Sequence, residues 1–307
     1  MNPAVEAIVQ RVGQTYGRWR RDTPVAQMRA DWDALFSARA EALVEPVDAA
    51  GVPCRWVRAP GCREDRAVVY FHGGGFQVGS LDSHAELMAC ISAAAQARVL
   101  GVDYRLAPEH RYPAARDDAL AAWRWVLAQG LAPSQVAVAG DSAGGGLALS
   151  LLLALQAQGE VLPVACWGLS AWTDLTASGS SYETRSALDP IHQRPVIVAM
   201  ARNYLGAGGN ASDPLVSPLL ASPAQLGALP PMLLQVGERE TVVSDSEDFA
   251  RKARAAGAQV ELQIWPGMIH VFQQFPAELP EARQALEAGG QFLAAQFDAA
   301  STRKTAS

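Results

Sequence analysis

From the amino end, apolar residues recur at helical spacing at Val5, Ile8, Val9 and Val12, and again at Met28, Trp32, Leu35 and Phe36, with Thr23-Pro24 between them. Residues 1–42 are therefore expected to form two amphipathic helices. The period then changes. Leu43–Val47 and Cys54–Val57 are short strand patterns joined by a Gly51-Val52-Pro53 turn, and Ala67–Phe71 is the continuous apolar run of a strand buried on both faces. Further strand patterns lie at Val99–Val102, Val136–Ala139, Val164–Leu169, Met232–Val236 and Val260–Trp265, separated by helical patterns at Ser83–Gln96, Pro113–Gln129, Leu147–Leu155, Ser244–Ala256 and Glu281–Phe297. Strands alternating with helices of these lengths predict an α/β fold with a mostly parallel sheet flanked by helices.

Residues 175–225 break the alternation, with turn formers around a helical patch at Val196–Leu205. The expected organisation is N-terminal cap helices (1–42), core (43–174), cap insertion (175–225), core (226–298) and a polar, disordered tail (299–307).

Composition narrows the function. A chain of 307 residues, half of them hydrophobic and with a formal charge of −6, is large enough for a substantial core. It has no electrostatic reason to bind nucleic acid. The one basic cluster, Arg18-Trp19-Arg20-Arg21, is expected to be a solvated helix face. Nothing at the N-terminus resembles a secretory signal, and Leu147–Leu155 is too short to cross a bilayer, so no stable membrane association and a cytoplasmic location are expected. Cys54, Cys62, Cys90 and Cys166 lack C-x-x-C spacing and are expected to be four free thiols, not disulfides or a zinc site.

The chemistry gathers around Gly140-Asp141-Ser142-Ala143-Gly144, a G-x-S-x-G pattern between a strand and a helix. Glycines on either side let strand and helix approach closely and push the serine above the sheet. A serine N-cap is the bland alternative. Gly73-Gly74-Gly75, after the Ala67–Phe71 strand, free successive N–H groups to face a cavity. A phosphate-binding use is disfavoured because no Lys-Ser/Thr follows either glycine run. A serine nucleophile needs a base and an orienting acid. Among five histidines (72, 84, 110, 192, 270), His270 falls in a loop at the carboxyl end of the sheet, where Ser142 should also emerge. The segment after Met232–Val236 offers Glu238, Glu240 and Asp245. Ser244 and Glu247 have capping-box spacing, which gives Asp245 a local task in the first helical turn and favours Glu240 as acid, with Asp245 the alternative.

His72-Gly73-Gly74-Gly75, Asp103-Tyr104-Arg105-Leu106-Ala107-Pro108-Glu109, Gly140-Asp141-Ser142-Ala143-Gly144-Gly145 and Met268-Ile269-His270 occur in that order. Together they resemble the bacterial hormone-sensitive lipase family of carboxylesterases, from about residue 40 to 297. The resemblance implies an α/β-hydrolase fold with a helical cap, Ser142 as nucleophile, His270 as base, and an oxyanion hole from the amides of Gly74, Gly75 and Ala143. It also implies a loop-ordering role for His72. The chain departs from the family at the acid, usually an aspartate about thirty residues before the histidine, where this sequence has Glu240.

The expected reaction is hydrolysis of short-chain carboxylic esters through a serine acyl-enzyme, with no metal or organic cofactor required. An amidase or acyltransferase would use the same groups. A non-catalytic small-molecule receptor could share the scaffold. Phe76, Leu205, Ile269 and Val271 are candidate acyl-pocket residues, with plain core packing the favoured reading of each; Asp103–Glu109 is expected to hold buried polar contacts, and Val260–Trp265 is a candidate edge for a homodimer.

Overall fold

A computed structural model of the protein describes residues 2–20, 22–36, 41–189 and 191–305, without the side chains of 303–305. Among the described residues, eight strands form one sheet: β1 (Leu43–Asp48), β2 (Pro53–Arg58), β3 (Arg63–Phe71), β4 (Ala97–Val102), β5 (Val136–Asp141), β6 (Cys166–Leu169), β7 (Met232–Gly237) and β8 (Val260–Trp265), in the order β1-β2-β4-β3-β5-β6-β7-β8. The β1–β2 hairpin and the β2–β4 pair are antiparallel. From β4 onward every pairing is parallel.

The central strands lie between two apolar layers, which is why they are continuous hydrophobic runs. Val69, Phe71, Val136 and Val138 belong to the layer of α4 (Ala114–Ala128) and α5 (Ala143–Ala157), and α9 (Val243–Ala255) joins this layer along the sheet. Their neighbours Val68, Tyr70, Ala137 and Ala139 face the layer of α3 (Ala85–Ala95) and α10 (Pro280–Thr305). The period of two sorts each strand's residues between these layers.

Helices α1 (Pro3–Tyr16) and α2 (Val25–Leu35) come first in the chain. Asn2 caps α1 by accepting from the Ala4 amide, and Pro3 begins the helix. Val5, Ile8 and Val12 then pack against Met268, Ile269, Phe272 and Phe275, so the N-terminal helix supports the loop that carries His270. The insertion after β6 contains α6 (Ser181–Thr184), α7 (Arg194–Leu205) and α8 (Pro223–Gly227).

Two expectations are corrected. Helix α10 runs to Thr305, so Ser301 and Thr302 are helical and not part of a disordered tail. Arg18-Trp19-Arg20 follows the C-terminus of α1, where Arg20 bonds to the carbonyls of Gly17 and Trp19; Arg21 lies outside the described residues. Arg18–Arg20 therefore lie beyond the helix end and not on a helix face. All four cysteines are free, with Cys54 and Cys166 buried. Among the described residues, no helix is long and apolar enough to cross a membrane.

Candidate active site

The β5–α5 junction explains the glycine pattern. Ser142 sits in the turn with φ 51° and ψ −119°, a strained conformation for a residue with a side chain. A Cβ on Gly140 would stand 2.4 Å from the Gly144 carbonyl oxygen, and one on Gly144 would stand 2.0 Å from that of Phe71. Strand and helix meet too closely here for any other residue. Ala143 opens α5, where a helix has amides without intrahelical acceptors.

His270 follows β8 in a loop at the carboxyl end of the sheet. Its Nε2 lies 2.8 Å from Ser142 Oγ, and its Nδ1 lies 2.7 Å from Glu240 Oε2. Glu240 is fully buried. Its other oxygen accepts from Ser170 Oγ at 2.7 Å and from the Gly237 amide. Ser170, in turn, accepts from the Val271 amide at 3.0 Å and so ties the histidine loop to the glutamate. Burial pulls the His270 pKa down, but the charge and hydrogen bond of Glu240, with smaller contributions from Asp189 and Asp141, outweigh it and leave the imidazole more basic than usual.

Asp245, the alternative acid, is engaged elsewhere. Helix α9 starts at Val243, before Ser244, and has no side-chain cap, so the capping box does not form. Ser244 meets Ser181 instead. The Asp245 Oδ2 accepts from the amides of Thr173 and Asp174, each at 2.9 Å. Burial, reinforced by the charge of Asp174, pushes its pKa well above the carboxylate range. Glu238 lies further out and accepts from the Gly267 amide.

Beside Ser142 the glycine loop turns at Gly74 (φ 112°) and Gly75 (φ 61°), and both glycines line the cavity that contains Ser142 and His270. Among the described residues, the amides of Gly74, Gly75 and Ala143 donate to no protein acceptor. Buried polar groups hold the loop from below. Asp141 accepts from the Gly73 amide at 2.9 Å and from the Tyr70 hydroxyl, and Tyr104 donates to the His72 carbonyl at 2.6 Å. The His72 ring stacks on Tyr104, and its Nδ1 is 2.7 Å from the Gly73 carbonyl. Burial pushes the His72 pKa down to about 3, which keeps the imidazole neutral under the loop. In the neighbouring segment, Arg105 bonds to Asp118 and Glu109 to Arg29. The Asp118 carboxylate is buried, whereas Glu109 is half exposed, so only part of this segment is buried polar structure.

The cavity walls are largely apolar and come from three places: Tyr16, Trp32 and Phe36 from the N-terminal segment, Ile191, Ile197 and Met200 from the insertion, and Ile269, Val271 and Phe275 from the histidine loop. Ile269 and Val271 therefore line it, against the core packing favoured for them. Phe76 and Leu205 do not: Phe76 stacks on Tyr204, and Leu205 packs against the core. No motif marks Ser170, or Asp189 and His192, the latter two of which line the cavity. A lone serine after a strand, and an Asp and His in a turn-rich stretch, carry no motif. Among the described residues, no group of three or more His, Cys, Asp or Glu could hold a metal ion.

A family model of the α/β-hydrolase fold matches residues 68–274. An acetyl-hydrolase of Streptomyces hygroscopicus is 39% identical over 276 residues, 89% of this chain and 91% of that protein. A carboxylesterase of Mycobacterium tuberculosis, NlhH, is 39% identical over 247 residues, 78% of this chain and 76% of that protein. A solved esterase structure described as from the bacterial hormone-sensitive lipase family superposes with a TM-score of 0.92 at 39% identity, covering 97% of this chain and 99% of that one. The chain belongs to this family of α/β-hydrolases. Within it, the Ser142–His270–Glu240 contacts lie at the carboxyl ends of β5, β8 and β7, the edge where open α/β sheets hold their ligands.

Proposed function

We propose that the protein is a carboxylesterase that cleaves its substrate through an acyl-enzyme on Ser142. The observation that carries this reading is the unbroken contact from Ser142 Oγ through His270 to Glu240, beside amides that have no protein acceptor. His270 Nε2 takes the hydroxyl proton as Oγ attacks the ester carbonyl, and Glu240 stabilises the imidazolium and fixes its orientation. The amides of Gly74, Gly75 and Ala143 donate to the oxyanion. The tetrahedral intermediate collapses, the imidazolium gives its proton to the departing alkoxide, and the acyl group stays on Ser142. Water, deprotonated by the same imidazole, then attacks the acyl carbonyl, releases the acid and restores the hydroxyl.

Short acyl chains are the proposed preference. Two observations support it: the Met200 thioether comes within 2.6 Å of where a Cβ on Gly75 would stand, so it crowds the oxyanion loop, and one relative is named an acetyl-hydrolase. Helices α1 and α2 with the 175–225 insertion act as a cap, a reading supported by their share of the cavity wall. The buried free thiols fit a reducing, cytoplasmic compartment. The edge strand β8, with Ile264 39% exposed, is the proposed face for a second copy.

Parallel assays of p-nitrophenyl acetate, butyrate and octanoate, the matching anilides and an alcohol acceptor test the reading. Ester hydrolysis that declines with chain length is expected. Faster anilide cleavage or predominant acyl transfer would reassign the enzyme.

A further inference from the structure

We infer that Asp189, carried by the insertion, is a positioning residue for the histidine–glutamate pair, so that reactivity at Ser142 depends on the insertion being seated. The inference rests on the reading of Ser142, His270 and Glu240 given above. Asp189 is only 4% exposed, and its carboxylate divides its acceptors between two segments. Oδ1 accepts from the amides of Ile191 (3.1 Å) and His192 (2.9 Å), folding the insertion around it. Oδ2 accepts from the amide of Thr241, the residue after Glu240, at 3.1 Å. The Thr241 hydroxyl returns a hydrogen bond to the His192 carbonyl. One carboxylate therefore joins the turn that presents Glu240 to a segment some fifty residues earlier in the chain. Nearby ties reinforce the junction: Ser181 Oγ bonds to the Thr241 carbonyl, and Arg239 Nε to that of Leu188.

The same junction reaches His270 directly. The His192 ring lies against the His270 ring, with centroids 4.1 Å apart, and its buried Nδ1 is 3.5 Å from Asp189 Oδ1. The Tyr16 ring meets the His192 ring edge-on, with centroids 6.2 Å apart. The titratable groups around His270 are Glu240 from the β7–α9 turn, Asp189 and His192 from the insertion, Asp141 at the end of β5, and Tyr16 of α1 across His192. Burial pushes the Asp189 carboxyl up, but its interactions with His192 and His270 more than reverse this and keep it ionised. A fixed anion here favours the imidazolium that forms on His270 in each half-reaction.

Asp189→Asn keeps the shape, removes the charge and puts an amide donor where one oxygen now accepts from backbone N–H groups; Thr241→Ala keeps the charge and removes the hydroxyl's bonds to the His192 carbonyl and to Asp189. With Asp189→Asn, the acid limb of kcat/KM is expected to move down by roughly half a pH unit or more, because the imidazolium loses support. Its kcat should fall about tenfold with KM little changed. Thr241→Ala should lower kcat several-fold, by roughly 3 to 5 times, and leave the limb in place. Loss of stability alone would lower activity without moving the limb. If Asp189→Asn does not fold, the kcat of Thr241→Ala decides the matter. An unshifted limb in a folded Asp189→Asn, or wild-type kcat in Thr241→Ala, overturns the inference. Retained activity in Ser142→Ala would instead overturn the reading beneath it.

Discussion

The floor and the roof of the cavity are built in different ways. The floor is set by strand ends: Ser142 after β5, Glu240 after β7 and the glycine loop after β3, each fixed by parallel pairing in the middle of the sheet. The roof comes from α1, α2 and α7, which are absent from the sheet and hold to the core through an apolar patch on the histidine loop and through buried polar ties such as Asp189–Thr241. In the floor a side chain's position follows from strand-end backbone geometry, which at Gly140 and Gly144 leaves no room for a Cβ. In the roof it follows from contacts between segments distant in the chain. Chemistry is therefore expected to depend on the floor, and substrate choice and its tuning on the roof.

Variants at the two levels should separate accordingly, and the floor should show the largest effects. On the proposed mechanism, Ser142→Ala should lower ester turnover on the order of 10⁴-fold or more, with a melting temperature close to that of the parent. Glu240→Gln should cost about 10³-fold in kcat. Asp245→Asn, at the carboxylate that bonds to Thr173 and Asp174, should cost less than about tenfold. Equal losses at both positions would erase the distinction between them. Gly144→Ala should destabilise the fold by about 3 kcal/mol in urea titration, because its Cβ would meet the Phe71 carbonyl at 2.0 Å.

The pH profile probes the link between the levels. The base must be neutral to act, and Glu240 raises the His270 pKa despite burial, so activity should fall as pH drops through a midpoint above about 6.5. A midpoint well below that value would mean that burial outweighs the glutamate. The smallest effect belongs to the roof. Met200→Ala should leave acetate turnover within about threefold and improve kcat/KM for longer acyl esters, read from a chain-length series.

Legibility in the sequence follows the same division. The sheet, its flanking helices and the meeting of Ser142 with His270 at one edge are visible in the sequence because they rest on local signals: buried runs, bracketing glycines and a loop after the last strand. Glu240 and Asp245 could not be separated as firmly, since both follow β7 within a few residues. What separates them is the start of α9 at Val243, ahead of the Ser244 cap that the spacing suggested, with Ser244 drawn to Ser181. Phe76 is open in the sequence to pocket or core, and its φ of 61° and its stacking on Tyr204 take it into the core. Ser170 and Asp189 had no local signal, for their partners Glu240 and Thr241 are 70 and 52 residues away. Helix α10 outran its apolar pattern because a polar sequence can extend a helix whose earlier turns are already packed.

Incubation with an organophosphate such as diethyl p-nitrophenyl phosphate, followed by peptide mass mapping, tests the central claim most directly. One phosphoryl adduct on Ser142 is expected, forming far more slowly in His270→Ala than in the parent. A protein that hydrolyses esters yet gives no adduct at Ser142, or is modified at another serine, would contradict the account.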